Sequence, residues 1–176
     1  ILGIRGTDDP DGGLLSDSIM LFSLNKKNGQ SSLVSIPRDL YVNLPGISKG
    51  KVNEIYEKGW VRKKALTFSQ EAFSRLTGVF IDNVIVFDFK AFQEIVEDLG
   101  GIDLTLKNPF QEKNQWGYEF SLPAGPNHLN GQEALYFVRS RYSTSDFDRS
   151  SRQQQVIFAI KEKALSAGVL ANLLKL

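Results

Sequence analysis

The apolar positions of this chain fall into short continuous runs set between stretches of helical period. "ILGIR" at 1–5 and "SIMLFSLN" at 18–25 have strand length. The second is too continuous for a strand with one wet face, so it is expected centrally in a covered sheet. "KKNG" at 26–29 turns the chain into "SSLVSI", a hairpin that Pro37 closes. "KVNEIYEKG" predicts a short helix and "TFSQEAFSRLTG" a longer one, with Thr67 and Gln70 at capping-box spacing and Gly78 just past its end. "NVIVF" at 83–87 reads as a buried strand, and Asp88 as the N-cap of a helix carrying Phe89, Phe92, Ile95, Val96 and Leu99 on one face until Gly100 and Gly101 stop it. "IDLTL" alternates as a strand, and Asn130 and Glu133 again have capping-box spacing. A last helix from about Ser150 aligns Val156, Ile157, Ile160 and Ala164. Strands mixed with helices, and a hairpin among them, predict an α/β protein with a mixed sheet covered by helices on both sides.

Composition narrows this picture. A chain of 176 residues, 41% hydrophobic and 23% charged, suits one domain over 1–176 with one core. Its 21 basic and 20 acidic residues leave a net charge of +1, so any basic patch is local and general attraction to nucleic acid is excluded. There is no cysteine and one histidine, His128, which removes disulfides, thiolate zinc sites, cysteine nucleophiles and paired-histidine motifs. Any metal must be held by oxygen. No signal peptide or run of membrane-spanning length is present, "GVLANLLKL" being too short. The chain opens on "ILGI", inside a strand, so it is expected to be an excised domain whose leading segment is left out.

The local basic patch is "RSRYSTSDFDRSSRQQQ" at 139–155, where four of the eight arginines fall within fourteen positions. Two guanidinium groups about 4 Å apart repel by roughly 1 kcal/mol in water and about 4 kcal/mol at an effective dielectric of ~20, so a partly buried cluster needs anions nearby. Asp146 and Asp148 supply part of that need in one reading, a solvated loop whose ion pairs are worth little. In the other, Arg139 and Arg141 end one helix and Arg149 and Arg152 begin the next, an arrangement suited to bidentate binding of a phosphate or pyrophosphate. A second constellation is "GTDDPDGGLLSDS", with Asp8, Asp9, Asp11 and Asp17, together with Arg38 and Asp39 after a strand. These residues either build a loop and a local ion pair or, through Asp17, offer a hard oxygen to Mg²⁺ or Mn²⁺. EF-hand spacing is absent, which leaves calcium the weaker metal reading.

Taken in order, "SDSIMLFSLN", "LVSIPRDLYVNLPG", "KVNEIY", "LGGIDLTL", "HLNGQEALYFVRSRY" and "DFDRSSRQQQV" resemble the LytR-CpsA-Psr family of cell-wall proteins over nearly the whole chain. The resemblance implies a three-layer α/β/α sandwich with a mixed central β-sheet, held at the extracytoplasmic face of the bacterial membrane by a preceding anchor. It also implies transfer of a glycopolymer from a polyprenyl-pyrophosphate carrier to peptidoglycan, with Mg²⁺ or Mn²⁺ as cofactor. Matched position by position, the metal-binding and catalytic Asp falls on Asp17, the arginine after the strand on Arg38, the alternating arginines on Arg139 and Arg141, and the pair on the last helix on Arg149 and Gln153, with Arg152 between. Arg38, Arg139 and Arg141 thus count as both catalytic and substrate-binding.

One departure bears on chemistry. The family's first metal-binding Asp is replaced by Arg5, and an arginine before the second Asp by Leu15. Arg5 is then a substrate-binding candidate that replaces metal charge, or Asp8 or Asp9 reaches in as a ligand. The departure keeps a second function open: a module that binds polyprenyl-pyrophosphate or cell-wall polymer without transfer, or a pyrophosphatase-like one. Lys51, Asn53 and Tyr56 are further candidates to line the site, with surface and packing roles as the alternative. Trp60 and Trp116 are expected in the core or at the rim of a lipid pocket, and His128 in a turn.

Overall fold

The computed structural model describes residues 1–9, 13–113, 115–142 and 145–166, without the side chain of Asp146. Asp11, the side chain of Asp146 and the tail 168–176 therefore lie outside the described residues. The chain divides into two compact units, 1–90 and 91–176.

The first unit holds β1 (Leu2–Gly6), β2 (Gly13–Leu24), β3 (Ser31–Ser35), β4 (Tyr41–Leu44), β5 (Ser48–Lys51), a 3-10 turn (Val52–Glu54), α1 (Ile55–Val61), α2 (Ala65–Thr77) and β6 (Val86–Phe87). Its sheet runs β3-β2-β1-β6, antiparallel except for the parallel β1/β6 pair, so the expected α/β class and mixed sheet are both present. The long apolar run of β2 lies between two strands, as its continuity predicts. The 83–87 stretch forms only the two-residue edge strand β6, half-exposed rather than buried. Leu2, Ile4 and Ile19 from the sheet pack with Val52, Ile55, Tyr56, Phe68, Ala72 and Phe73 beneath α1 and α2. Each fully buried large aliphatic side chain contributes about 1.5–3 kcal/mol, which is what holds the helices on the sheet.

The capping box expected at Thr67 and Gln70 does not form. Lys63 adopts φ 57°, and α2 starts after Lys64, two residues ahead of Thr67. Thr67 instead donates to the Lys64 carbonyl (3.3 Å) and Gln70 to the Ile81 carbonyl (2.6 Å). At the other end Gly78 takes φ 72° and closes the helix as expected.

The second unit takes in most of α3 (Phe89–Asp98), then β7 (Ile102–Leu106), β8 (Phe110–Glu112), β9 (Phe120–Leu122), β10 (Gly125–Leu129), α4 (Gly131–Arg139) and α5 (Asp146–Ser166). β7 alternates buried and exposed residues, pairs antiparallel with β10, and turns Ile102, Leu104 and Leu106 into a core with Phe110, Phe120, Leu122, Leu129, Phe137 and Val156. The Asn130–Glu133 capping box on α4 is complete. Gly131 follows because a Cβ there would lie 2.5 Å from the Gln93 carbonyl. α5 begins four residues before Ser150: the Ser145 hydroxyl bonds the Asp148 amide (3.2 Å) and carboxylate (2.7 Å), a cap that lengthens the helix. Nothing in the sequence reading anticipated the β4/β5 and β8/β9 hairpins, whose strands are only three or four residues long.

Candidate functional site

Asp17 owes its position to an irregular ladder. The β1/β2 register pairs Gly3 with Ser18 and Ile4 with Ser16, so Asp17 is the extra residue of a bulge, and a second irregularity follows between Ile4 and Gly6. Bulges twist a strand locally and re-aim a side chain. The Asp17 Oδ1 accepts a short hydrogen bond from Arg38 Nη1, and Oδ2 lies 3.7 Å from Arg5 Nε. Arg38 Nε sits 3.4 Å from Asp39 Oδ2, and Asp39 Oδ1 accepts from Lys51 Nζ at 2.6 Å. Burial pulls the Arg38 pKa down, but the Asp17 and Asp39 carboxylates more than reverse this and leave it above its ordinary value. The Lys51 hydrogen bond, aided by Arg38, holds Asp39 below its ordinary value.

One buried polar atom here, Asn53 Oδ1, lacks a hydrogen-bond partner, and the Asn53 amide bonds the Arg38 carbonyl (3.3 Å). Asn53 is thus buried beside the strand-end arginine, Lys51 is an exposed partner of Asp39, and Tyr56 packs in the core with its ring 6.3 Å from Trp60. The donor set around Asp17 suits an anion better than a cation. Mg²⁺ and Mn²⁺ require several hard oxygens, whereas each oxygen of Asp17 faces a guanidinium group and no three His, Asp or Glu side chains gather anywhere among the described residues. Thr7 contacts Asp8 at 3.5 Å in the turn after β1, and Asp9 lies in the same turn. As they stand these residues do not fit a divalent ion.

In the second unit the arginine run folds as two helix ends. Arg139 is the last residue of α4, and its guanidinium carbon lies 5.2 Å from the centre of the Trp116 ring, which stacks on Tyr136 at 4.5 Å. Arg141 is exposed, and its amide donates to Gln115 Oε1 at 2.8 Å. Arg149 and Arg152 are both buried on the first turns of α5. Arg152 Nε donates to the Phe137 carbonyl (2.8 Å) and Nη2 makes a short bond to the Ser140 carbonyl, while its guanidinium lies over the Phe110 ring at 5.0 Å. Desolvation pushes its pKa down to about 10, against the pull of Asp148 and the fully buried Glu112. Gln153 donates to the Val138 carbonyl at 3.4 Å. Five predicted residues therefore stand along one join, with Arg152 and Gln153 bonded to the end of α4.

Sequence reasoning missed Gln115 and Glu112 and left Trp116 between core and rim. These belong to the β8/β9 hairpin, whose short strands carry no periodic signal. Trp116 also donates to Ser140 Oγ at 3.1 Å. His128 stands on the strand β10 rather than in a turn, bonded to Asp103 at 2.7 Å, and the described residues hold no group of three His, Asp or Glu side chains that could take a metal.

The sequence matches the LytR_cpsA_psr family over residues 1–176. It is 34% identical over 168 residues to the polyisoprenyl-teichoic acid–peptidoglycan teichoic acid transferase TagV of Bacillus subtilis, covering 92% of this chain and 42% of that protein. The crystal structure of B. subtilis TagV superposes with a TM-score of 0.75 at 32% identity, over 92% of this chain and 62% of that one. A structure of TagT with bound octaprenyl pyrophosphate lipid gives a TM-score of 0.71 at 27% identity, over 94% and 63%. The chain thus spans less than half the length of TagV.

Proposed function

The chain belongs to the LytR_cpsA_psr family, and from that premise we propose that it is the part of a glycopolymer phosphotransferase that binds the polyprenyl-pyrophosphate carrier and passes its polymer to peptidoglycan. The observation that carries this reading is the join of α4 and α5, where Arg139, Arg141 and Arg149 are collected on two helix ends. It is supported by the octaprenyl pyrophosphate bound to TagT and by the naming of TagV as a polyisoprenyl-teichoic acid transferase to peptidoglycan. The working place in this reading is the extracytoplasmic membrane face, with a membrane anchor outside the chain; no helix among the described residues is long and apolar enough to cross a membrane.

In the reaction an acceptor hydroxyl of peptidoglycan attacks the phosphorus that bears the glycan. Its new P–O bond forms as the bond to the bridging oxygen breaks, polyprenyl monophosphate leaves with the electron pair, and the hydroxyl proton passes to solvent. Charge spreads over the equatorial oxygens, so positioning and neutralisation do most of the work. In this reading Arg139, Arg141 and Arg149 bind the phosphates, Arg152 and Gln153 shape that surface, and Arg38 and Arg5 are anion-binding groups held by Asp17. Were Mg²⁺ or Mn²⁺ to bind, Asp17 would be the carboxylate to hold it, and the ion would supply at the phosphates the positive charge that Arg5 now places beside Asp17.

The test is incubation with a polyprenyl-pyrophosphate-linked glycan and peptidoglycan fragments, following carrier release and polymer transfer. Transfer that falls about a hundredfold in Arg139→Ala is expected, the scale of losing one charge-stabilising donor. Arg5 beside Asp17 favours a second reading, a module that binds carrier without turnover. Carrier binding with no transfer in the wild type selects it.

A further inference from the structure

The end of α4 poses an accounting question. A helix leaves its last four carbonyls without donors of its own. Here each finds one. Tyr136 O accepts from the Ser140 amide (2.9 Å) and hydroxyl (2.7 Å), Phe137 O from Arg152, Val138 O from Gln153, and Arg139 O from Gln115 Nε2 (3.2 Å). The next carbonyl, Ser140 O, accepts from Arg152 Nη2. The Gln115 amide works in both directions: its nitrogen donates to the carbonyl before Ser140 and its oxygen accepts from the Arg141 amide after it, at 2.8 Å.

Ser140 is wholly buried and leaves the helix at φ −56°, ψ 132°, so it is the hinge about which Arg141 turns relative to Arg139. Its own hydroxyl is held by Tyr136 and by Trp116. An exposed loop carrying two phosphate-binding arginines needs none of this. A segment whose two arginines must meet one anion at a set spacing does, because guanidinium forks bind bidentately only when held to within about 0.5 Å.

We propose that Gln115, backed by the buried Arg152, is a positioning residue that fixes the main chain on both sides of Ser140 so that Arg139 and Arg141 together engage the pyrophosphate. This rests on the reading of the α4–α5 join as the pyrophosphate site. Gln115 touches no reacting atom; it acts through the two arginines. It is half-exposed, so when it is truncated water can reach the Arg139 carbonyl and the Arg141 amide and the fold is kept, while the spacing of the two guanidinium groups is lost.

The probe is octaprenyl pyrophosphate, titrated into the wild type, Gln115→Ala, the Arg139→Ala/Arg141→Ala double variant and the triple variant. Gln115→Ala weakens binding about tenfold, a misplacement of a fraction of an ångström, and leaves the melting temperature within a degree of the wild type. In the background lacking both arginines the same change costs nothing further, because a residue that acts through two others has no effect once they are gone. Wild-type affinity in Gln115→Ala, or an equal loss with and without the arginines, overturns the positioning role while the pyrophosphate site stands. Unchanged affinity in Arg139→Ala/Arg141→Ala overturns both.

Discussion

Arginines are gathered in both units, and the two gatherings are held by different mixtures of partners. Beside β2, Arg5 and Arg38 are held by carboxylates: Asp17 takes both, and Asp39 is shared by Arg38 and Lys51. At the α4–α5 join, Arg152 is held by neutral main-chain oxygens and aromatic faces, and Arg139 lies over Trp116. Carboxylate partners are half-exposed and cancel charge where they sit. Carbonyl and ring partners order a guanidinium group without cancelling its charge, so at the join part of what holds Arg152 is uncharged, while Asp148 and the buried Glu112 supply the carboxylate share. The chemical lesson is that arginine clusters differ less in number of charges than in what compensates them.

The comparison breaks hardest at Arg152. With Arg152→Met, Phe137 O and Ser140 O lose their donor and the buried Glu112 loses a cationic neighbour, whereas the methionine fills only the apolar volume against Phe110. Removing one partner of a buried charged network costs about 3 kcal/mol. Chemical denaturation should show a loss of that size. Arg38→Ala breaks ion pairs at half-exposed groups, and the same measurement should show less than about 1 kcal/mol. Equal losses would erase the distinction between the two gatherings.

Arg5 gives the next largest effect. In Arg5→Asp a second carboxylate replaces the guanidinium opposite Asp17 Oδ2, so two hard oxygens face each other at the bulge. Titration calorimetry with Mg²⁺ or Mn²⁺ should then show binding at least about tenfold tighter than in the wild type, a change of about 1.4 kcal/mol, and Asp17→Ala should abolish it. Wild-type affinity already equal to that of Arg5→Asp would mean that Arg5 does not guard the carboxylate.

Much of this was legible in the sequence, for reasons that particular residues make plain. β2 was readable because one unbroken apolar run can be buried only between strands, and α4 because Asn130 and Glu133 sit three apart ahead of an apolar face. The six motifs carried the family, and with it Arg38, Arg139, Arg141 and Arg149, while Arg5 was legible only as a departure from it. The roles of Arg152 and Gln153 were not legible, since an arginine that faces a phosphate and one that faces a carbonyl look alike in sequence. Gln115 was invisible: it works from a short hairpin on main-chain atoms twenty-four and twenty-six residues away, and such long-range side-chain bonds to backbone leave no periodic mark. Thr67 and Gln70 had the right spacing in the wrong turn, because spacing alone does not say where the chain leaves its loop.

The smallest effect concerns how the second gathering is held in register. Asp148 caps α5 through Ser145, one turn before the helix face that carries Arg149 and Arg152. The Ser145 hydroxyl and amide bonds hold the Asp148 carboxyl below its ordinary value. A lowered folded-state pKa contributes stability that is complete above the unfolded value, about 3.9, and is lost as pH falls through the folded value. The melting temperature of the wild type should exceed that of Asp148→Ala by something on the order of a degree at pH 7. The gap should persist to about pH 4 and close below it. The β2 gathering has no part in this cap, so Asp39→Ala measured in parallel should leave the Asp148 gap and its pH dependence untouched. A gap that does not close in acid would mean that the cap works through the side-chain shape of Asp148 and not through its charge.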